Sequence, residues 1–248
     1  MNALQALIFD VDGTLAETER DGHRSAFNAA FAEHGLNWEW DEVLYGRLLE
    51  ITGGKERIRH YAGHFDPATA ARPDFDDLVK RLHAAKTAHY VRRVEQGRLP
   101  LRPGVARLIG EARAAGLRLA IATTTSPENV DALLRATLGE AAPDWFAVIG
   151  AGDVVPAKKP APDIYRWVLE RLRLPAAACL AIEDSENGLK SASTAGLRCL
   201  VTVNDYTRDQ DFSGAWAVRE SLAAVTLESI LADSPGNAMK QAAREESR

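Results

Sequence analysis

Four short, unbroken apolar runs constrain this chain more than any other feature: "ALIFD" at 6–10, "LRLAIAT" at 117–123, "ACLAIED" at 178–184 and "LRCLVTV" at 197–203. Runs without polar alternation suit strands covered on both faces, as in a parallel sheet flanked by helices. The segments that lead into the last three read as helices. In "RPGVARLIGEARAAG", Pro103 stands near the start, Val105, Leu108, Ile109 and Ala112 share one face, and Gly116 marks the stop. "SPENVDALLRATLG", with Ser126 as its N-cap, and "SENGLKSASTAG" repeat the plan. Such alternation predicts an α/β fold with a doubly wound, Rossmann-like parallel sheet.

One interval breaks the alternation. From 19 to 96 no strand pattern occurs, and amphipathic stretches such as "HRSAFNAAFAEHG" and "FDDLVKRLHAAKTAHYVRRV" replace it. It is too long for an ordinary crossover, which predicts an inserted all-helical cap over 19–96, entered and left through "ERDG" and "GRLPLRPG". The catalytic core is then 1–18 with 97–233, and the polar stretch 234–248 is expected to be a flexible tail.

Totals exclude several function classes. With a formal net charge of -5, the chain carries no basic footprint for nucleic acid, so a phosphate-bearing ligand must be held by a few placed donors. No run approaches a membrane span and none has the form of a signal peptide, so the expectation is a cytoplasmic protein with no membrane partner. Cys179 and Cys199 lie inside apolar runs and read as buried small hydrophobes. No long exposed apolar stripe is evident, and a monomer is expected.

Polar residues gather where the predicted strands end. The first run meets Asp10, Asp12 and Gly13; "ATTTS" follows the second, "EDS" ends the third, and "KKP" precedes a helix that Pro162 opens. Each alone has a plain reading as a turn, an N-cap or a solvated surface. Together they fall on one rim, because in open α/β sheets the ligand lies beyond the carboxyl ends of the strands. Phosphoryl transfer uses such a set. One carboxylate can act as a covalent nucleophile and another, two residues on, as general acid and base. Two acids beside a phosphate dianion require a hard cation, which points to Mg²⁺, with Glu183 and Asp184 as further anionic ligands. Thr123, the Thr124 amide and Lys159 supply donors to the phosphate oxygens.

"DVDGT", the Thr of "ATTTS", "KKP" with "PDIY", and "EDS" resemble, in type and order, the four motifs of the haloacid dehalogenase superfamily. The resemblance implies Asp10 as nucleophile and Asp12 as general acid/base. It implies Thr123 and Lys159 as phosphate anchors. Asp10, the Asp12 carbonyl and Asp184 become Mg²⁺ ligands supported by Glu183. Asp12 argues against dehalogenation, whose enzymes lack that second acid. The helical insert is similar to the cap of the phosphoglucomutase-like branch. Within that branch "DGTLAETERDGHR", "YGRLLEITGGKERI", "ATTTSPENV" and "IEDSENGLKSA" resemble CbbY-type phosphatases. That likeness implies hydrolysis of xylulose 1,5-bisphosphate, a Rubisco inhibitor, to xylulose 5-phosphate. Lys55 and Arg57, on the Gly-rich cap loop "TGGKER", either grip a second phosphate or begin a solvated helix. Glu17 and His23 are placed to face the sugar from the hinge and cap, with a structural role as the equal alternative for His23. A sugar phosphomutase of the same branch and, less consistent with the long insert, a phospho-accepting signalling module are the competing readings.

Overall fold

In the computed structural model, which describes residues 3–232, the chain forms one sheet with helices on both faces and a helical insert beyond its edge. The order is β1 (Ala6–Phe9), a π-helical turn (Glu19–Arg24), α1 (Ser25–Glu33), α2 (Glu42–Leu48), α3 (Gly54–Phe65), α4 (Pro67–Ala70) and α5 (Phe75–Glu95). There follow α6 (Val105–Ala114), β2 (Arg118–Ala122), α7 (Pro127–Leu138), β3 (Phe146–Gly150), α8 (Asp163–Leu172) and β4 (Cys179–Glu183). The described chain closes with α9 (Glu186–Thr194), β5 (Arg198–Thr202), β6 (Ala217–Arg219) and α10 (Leu227–Ala232). The stretch expected to be a tail, 234–248, lies outside the described residues.

All strand pairings are parallel, in the order β3-β2-β1-β4-β5-β6. β1 is central, and its four residues alternate between faces. Leu7 and Phe9 join α6, α7 and α10 in one hydrophobic core, while Ala6 and Ile8 join α8 and α9 in another. Hence β1 shows no polar alternation: both its faces are dry. β3 and β6 were not expected from sequence. Both are edge strands with partly exposed residues, and β6 has only three residues, so neither presents an apolar run.

The insert has its own core. Phe27, Phe31, Trp38, Trp40 and Tyr45 cluster with Leu48, Ile58 and Leu82, and Phe31 sits edge-on to both tryptophans with centroids 5.3 and 4.8 Å away. Such edge-to-face pairs add about 0.5–1.5 kcal/mol each to simple burial. "ERDG" is not the open connection that its composition suggests, because it lies within the π-helical turn. There Gly22 packs so closely on Leu99 and Tyr90 that a Cβ would fall 2.9 Å from Leu99 Cδ1. "DPATAAR" contains a helical turn, α4, whose Thr69 N–H donates to Asp66 Oδ1 at 3.1 Å. Among the described residues no helix is long and apolar enough to cross a membrane.

Candidate active site

Register builds the site. Phe9 stands opposite Ile121 of β2 and Ile182 of β4, so the residues that follow these three strands emerge together at one edge of the sheet. Asp10, with its amide held by the Ile182 carbonyl at 2.9 Å, faces Glu183 and Asp184 from the neighbouring strand end. Thr123 and Thr124 follow β2, and Lys159 arrives from the loop before α8. Asp10, Thr123, Thr124, Lys159 and Asp184 line one cleft of about 210 Å³.

Gly13 explains the glycine in "DVDGT". Its φ is +77°, in the left-handed region, and a Cβ there would lie 2.2 Å from Asp184 Oδ2. Only glycine lets the chain turn back against the second acidic strand end.

Beneath the cleft, Lys159 Nζ donates to Asp10 Oδ1 and Glu183 Oε1, both at 2.6 Å. Tyr165 donates its hydroxyl to the same Glu183 oxygen, and Asn204 Nδ2 donates to Asp184 Oδ2 at 2.8 Å. Burial pushes Asp10 up to about 8, with Lys159 opposing and the charges of Glu183 and Asp12 adding to the rise. Burial, then the charges of Asp10 and Glu183, raise Asp184 well above the carboxylate range. Burial acts to lower Lys159, but Asp10 and Glu183 hold its ammonium above the ordinary lysine value. Lys159 thus pairs with Asp10 and Glu183, and Asp184 adds a third carboxylate to the cluster without an ion pair to it.

That excess fits a divalent cation. One oxygen each from Asp10, Glu183 and Asp184 lie within 4.8 Å of one another, and buried Glu183 Oε2 has no hydrogen-bond partner. An unsatisfied carboxylate oxygen among acids is what a hard, oxygen-seeking ion would complete.

Asp12 lives in different surroundings. Its Oδ1 accepts from the Thr18 hydroxyl at 2.5 Å and lies 2.7 Å from His23 Nε2. Burial tends to raise its carboxyl, but the charge and hydrogen bond of His23 and the Thr18 bond outweigh it, holding Asp12 below the usual carboxylate range. His23 is itself fixed by stacking on Tyr90, with ring centroids 4.3 Å apart. Two carboxylates two residues apart are therefore pushed in opposite directions, the pattern of paired groups with separate roles.

The other sequence candidates divide. Arg57 lines the cleft, but its guanidinium is committed within the insert to the Leu48 carbonyl and the Tyr45 hydroxyl, and it lies in α3, not on a loop. Lys55 is not among the residues lining that cleft; it borders a neighbouring groove, where it reaches Asp153 of the core, Nζ to Oδ2 2.8 Å. Glu17 is not among the residues lining the cleft around Asp10; its carboxylate meets Arg102 Nε at 2.7 Å on a half-exposed surface, and Glu19 lines the cleft instead. Buried Arg102 also holds the carbonyls of Gly13, Thr202 and Val203, which ties the exit of the insert to the turn after Asp12. The Ser126 hydroxyl caps no helical N–H; α7 starts on Pro127, which has no N–H to satisfy, and Asn129 donates to Thr125. Sequence reasoning missed Asn204, Tyr165, Arg102 and Lys86. Asn204 follows directly on a predicted strand, and the strand-end rule applied there would have found it.

A family described as haloacid dehalogenase-like hydrolase matches residues 4–196. Protein CbbY of Cupriavidus necator, plasmid-encoded, is 56% identical over 218 residues, covering 87% of this chain and 84% of that protein. CbbY from Rhodobacter sphaeroides, solved with phosphate, superposes with a TM-score of 0.84 at 49% identity, covering 91% of this chain and 98% of the other. A mutant of the Rhodobacter protein, solved with xylulose 1,5-bisphosphate, superposes with a TM-score of 0.83 at 50% identity, covering 89% and 95%.

Proposed function

Since the chain belongs to the haloacid dehalogenase-like hydrolase family and is a sugar-phosphate phosphatase of it, we propose that it hydrolyses xylulose 1,5-bisphosphate with Mg²⁺ through an aspartyl-phosphate on Asp10. The observation that carries the mechanism is the buried cluster of Asp10, Glu183 and Asp184 with one lysine, open to a cleft whose far wall belongs to the insert. The substrate is supported by the sugar bisphosphate bound to the half-identical Rhodobacter relative.

Asp10, Glu183, Asp184 and the Asp12 carbonyl are the groups that hold the cation. When bound, it supplies positive charge that keeps Asp10 ionised and offsets repulsion between acids and phosphate. Asp10 then attacks phosphorus, the bond from phosphorus to the sugar oxygen breaks, and Asp12 gives that oxygen a proton. In the second half Asp12 takes a proton from water, the hydroxide oxygen bonds to phosphorus, and the acyl phosphate bond breaks to regenerate Asp10 and release phosphate. Ionised Asp12, held by His23 and Thr18, is the form this second step needs. The first step needs the acid form, so Asp12 must first gain a proton, which the negative charge of the phosphate ester beside it favours, and exchange its contact with His23 for one with the leaving oxygen. Thr123, Thr124 and Lys159 steady the phosphoryl oxygens.

The test is phosphate release from a panel of sugar mono- and bisphosphates, with Mg²⁺ and with a chelator, and with identification of the sugar product. Preference for xylulose 1,5-bisphosphate and loss of turnover with chelator are expected. Isomerised sugar phosphate without released phosphate would move the protein to the phosphomutases.

A further inference from the structure

His83 lies on α5, one turn before Lys86, at the seam between insert and core. It lines both a groove of about 950 Å³ that also carries Lys55 and Thr124, and a chamber of about 40 Å³ that reaches Asp12 and His23. Its ring is tightly placed. A Cβ on Gly54 would fall 2.9 Å from both Cδ2 and Nε2 of the imidazole, so any larger residue there would push the ring or the start of α3 aside. This gives the second glycine of "TGGKER" a physical reason. Among the described residues His23, His34, His64 and His89 each have a hydrogen-bond partner for a ring nitrogen and His60 packs against the His64 ring, whereas His83 has neither. Nε2 packs toward Gly54, and a mostly buried imidazole without a protein partner that borders both openings is placed to meet a ligand.

We infer that His83 is a specificity-determining residue, which hydrogen-bonds a hydroxyl of the sugar between the reacting phosphate and Lys55. The inference rests on the sugar-phosphate reading above. The groups that face the ring are Lys55, Lys86 and His23 on the insert and Asp153 on the core; burial first, then Lys86 and Lys55, push it down to about 3. An imidazole in that state is neutral and offers one donor and one acceptor. A hydroxyl matches both, whereas a phosphate oxygen calls for the cations on either side.

The experiment compares the full chain with its His83→Ala, His83→Asn and Gly54→Ala variants on xylulose 1,5-bisphosphate and on p-nitrophenyl phosphate, which has a reacting phosphate but no sugar. His83→Ala is expected to lower kcat/KM for the bisphosphate about 10-fold, the scale of one lost hydrogen bond with its partner left unpaired. Turnover of p-nitrophenyl phosphate stays unchanged, which also shows that the variant folds. His83→Asn, with a donor and an acceptor, regains part of the loss, and Gly54→Ala, which displaces the ring, loses activity as selectively as His83→Ala. Equal effects on both substrates, or no effect on either, would overturn the inference. If wild-type protein cleaves p-nitrophenyl phosphate but not the bisphosphate, the substrate assignment falls. The same ratio measured with the sugar phosphate that is cleaved then decides the role of His83.

Discussion

The two walls of the cleft are built in opposite ways. The floor, on the sheet, gathers Asp10, Glu183 and Asp184 with one lysine, Lys159, paired to the first two, an excess of acid delivered by neighbouring strand ends in register. The roof, on the insert, sets His23, Lys86 and Arg57 near Asp12 and Glu19, an excess of base presented by helices packed on an aromatic core. The floor calls for a cation, and the roof with that cation calls for an anion. A phosphate ester between them satisfies both, which is why neither half alone describes the activity.

The largest effect sets the floor apart. Asp10→Asn is expected to reduce kcat by about 10⁴-fold or more, the scale on which loss of a nucleophile acts in hydrolases. The same change removes one of three crowded carboxylates. Because burial raises the Asp10 pKa in the fold, its charge destabilises the cation-free protein above the unfolded carboxylate range, so the variant is expected to melt no lower than wild type at pH 7. Near-normal turnover by this variant would mean that the floor does not supply the nucleophile.

Phe31→Ala tests the roof as a separately packed unit. A buried aromatic reduced to Ala costs about 3–5 kcal/mol, and Phe31 belongs to the core cluster of the insert. Hydrogen exchange is expected to quicken in α1 and α3 while β1 and β4 keep their protection. Equal loss in the strands would show that the two halves share one cooperative unit.

The same contrast governs what could be read from sequence. The floor was legible because strands of one sheet end on one edge, so Asp10, Thr123 and Asp184 are located by run lengths alone. Lys159 was legible through its place before a helix. The roof was not, since its polar residues are positioned by tertiary packing. Lys86 looks like any solvated lysine in "HAAKTAHY", yet it is buried with its ammonium about equally over the Phe27 and Tyr90 rings, at 5.0 and 5.5 Å. Glu17 looks poised for the sugar, yet it pairs with Arg102, a residue 85 positions later that no local pattern connects to it.

Lys86→Met sharpens the contrast at intermediate scale. Burial pushes Lys86 down to about 8, against the opposing charges of Asp12 and Glu19. The unfolded chain therefore binds the extra proton between about pH 8 and the ordinary lysine value, and this group adds stability as pH rises through that window. Met fills the same space without a charge to bury, so the variant is expected to melt roughly 2–8 °C higher at pH 7 and to lose the high-pH gain. Turnover is expected to fall about 10-fold or more, because the ammonium helps hold Asp12 ionised. A variant that is both more stable and fully active would show that this charge serves neither half.

The smallest expected effect lies where floor and roof touch. Lys55 of the insert binds Asp153 of the core, which Lys158 also holds at 2.6 Å. The pair is open to solvent, with Lys55 33% and Asp153 64% exposed, so it contributes only about 0.2–1 kcal/mol to stability, and Lys55→Ala is expected to leave the melting temperature nearly unchanged. Its effect belongs to binding. A second phosphate carries more charge than the Asp153 carboxylate and can draw the ammonium away from it, forming a charge-assisted bond worth about 1.5–3 kcal/mol. Lys55→Ala is accordingly expected to raise KM about 10-fold for a sugar bisphosphate and to leave KM for the monophosphate unchanged. Equal rises for both would assign Lys55 to closing the insert over the core through Asp153, because a latch acts on every substrate, whereas a phosphate anchor acts only on those that carry a second phosphate.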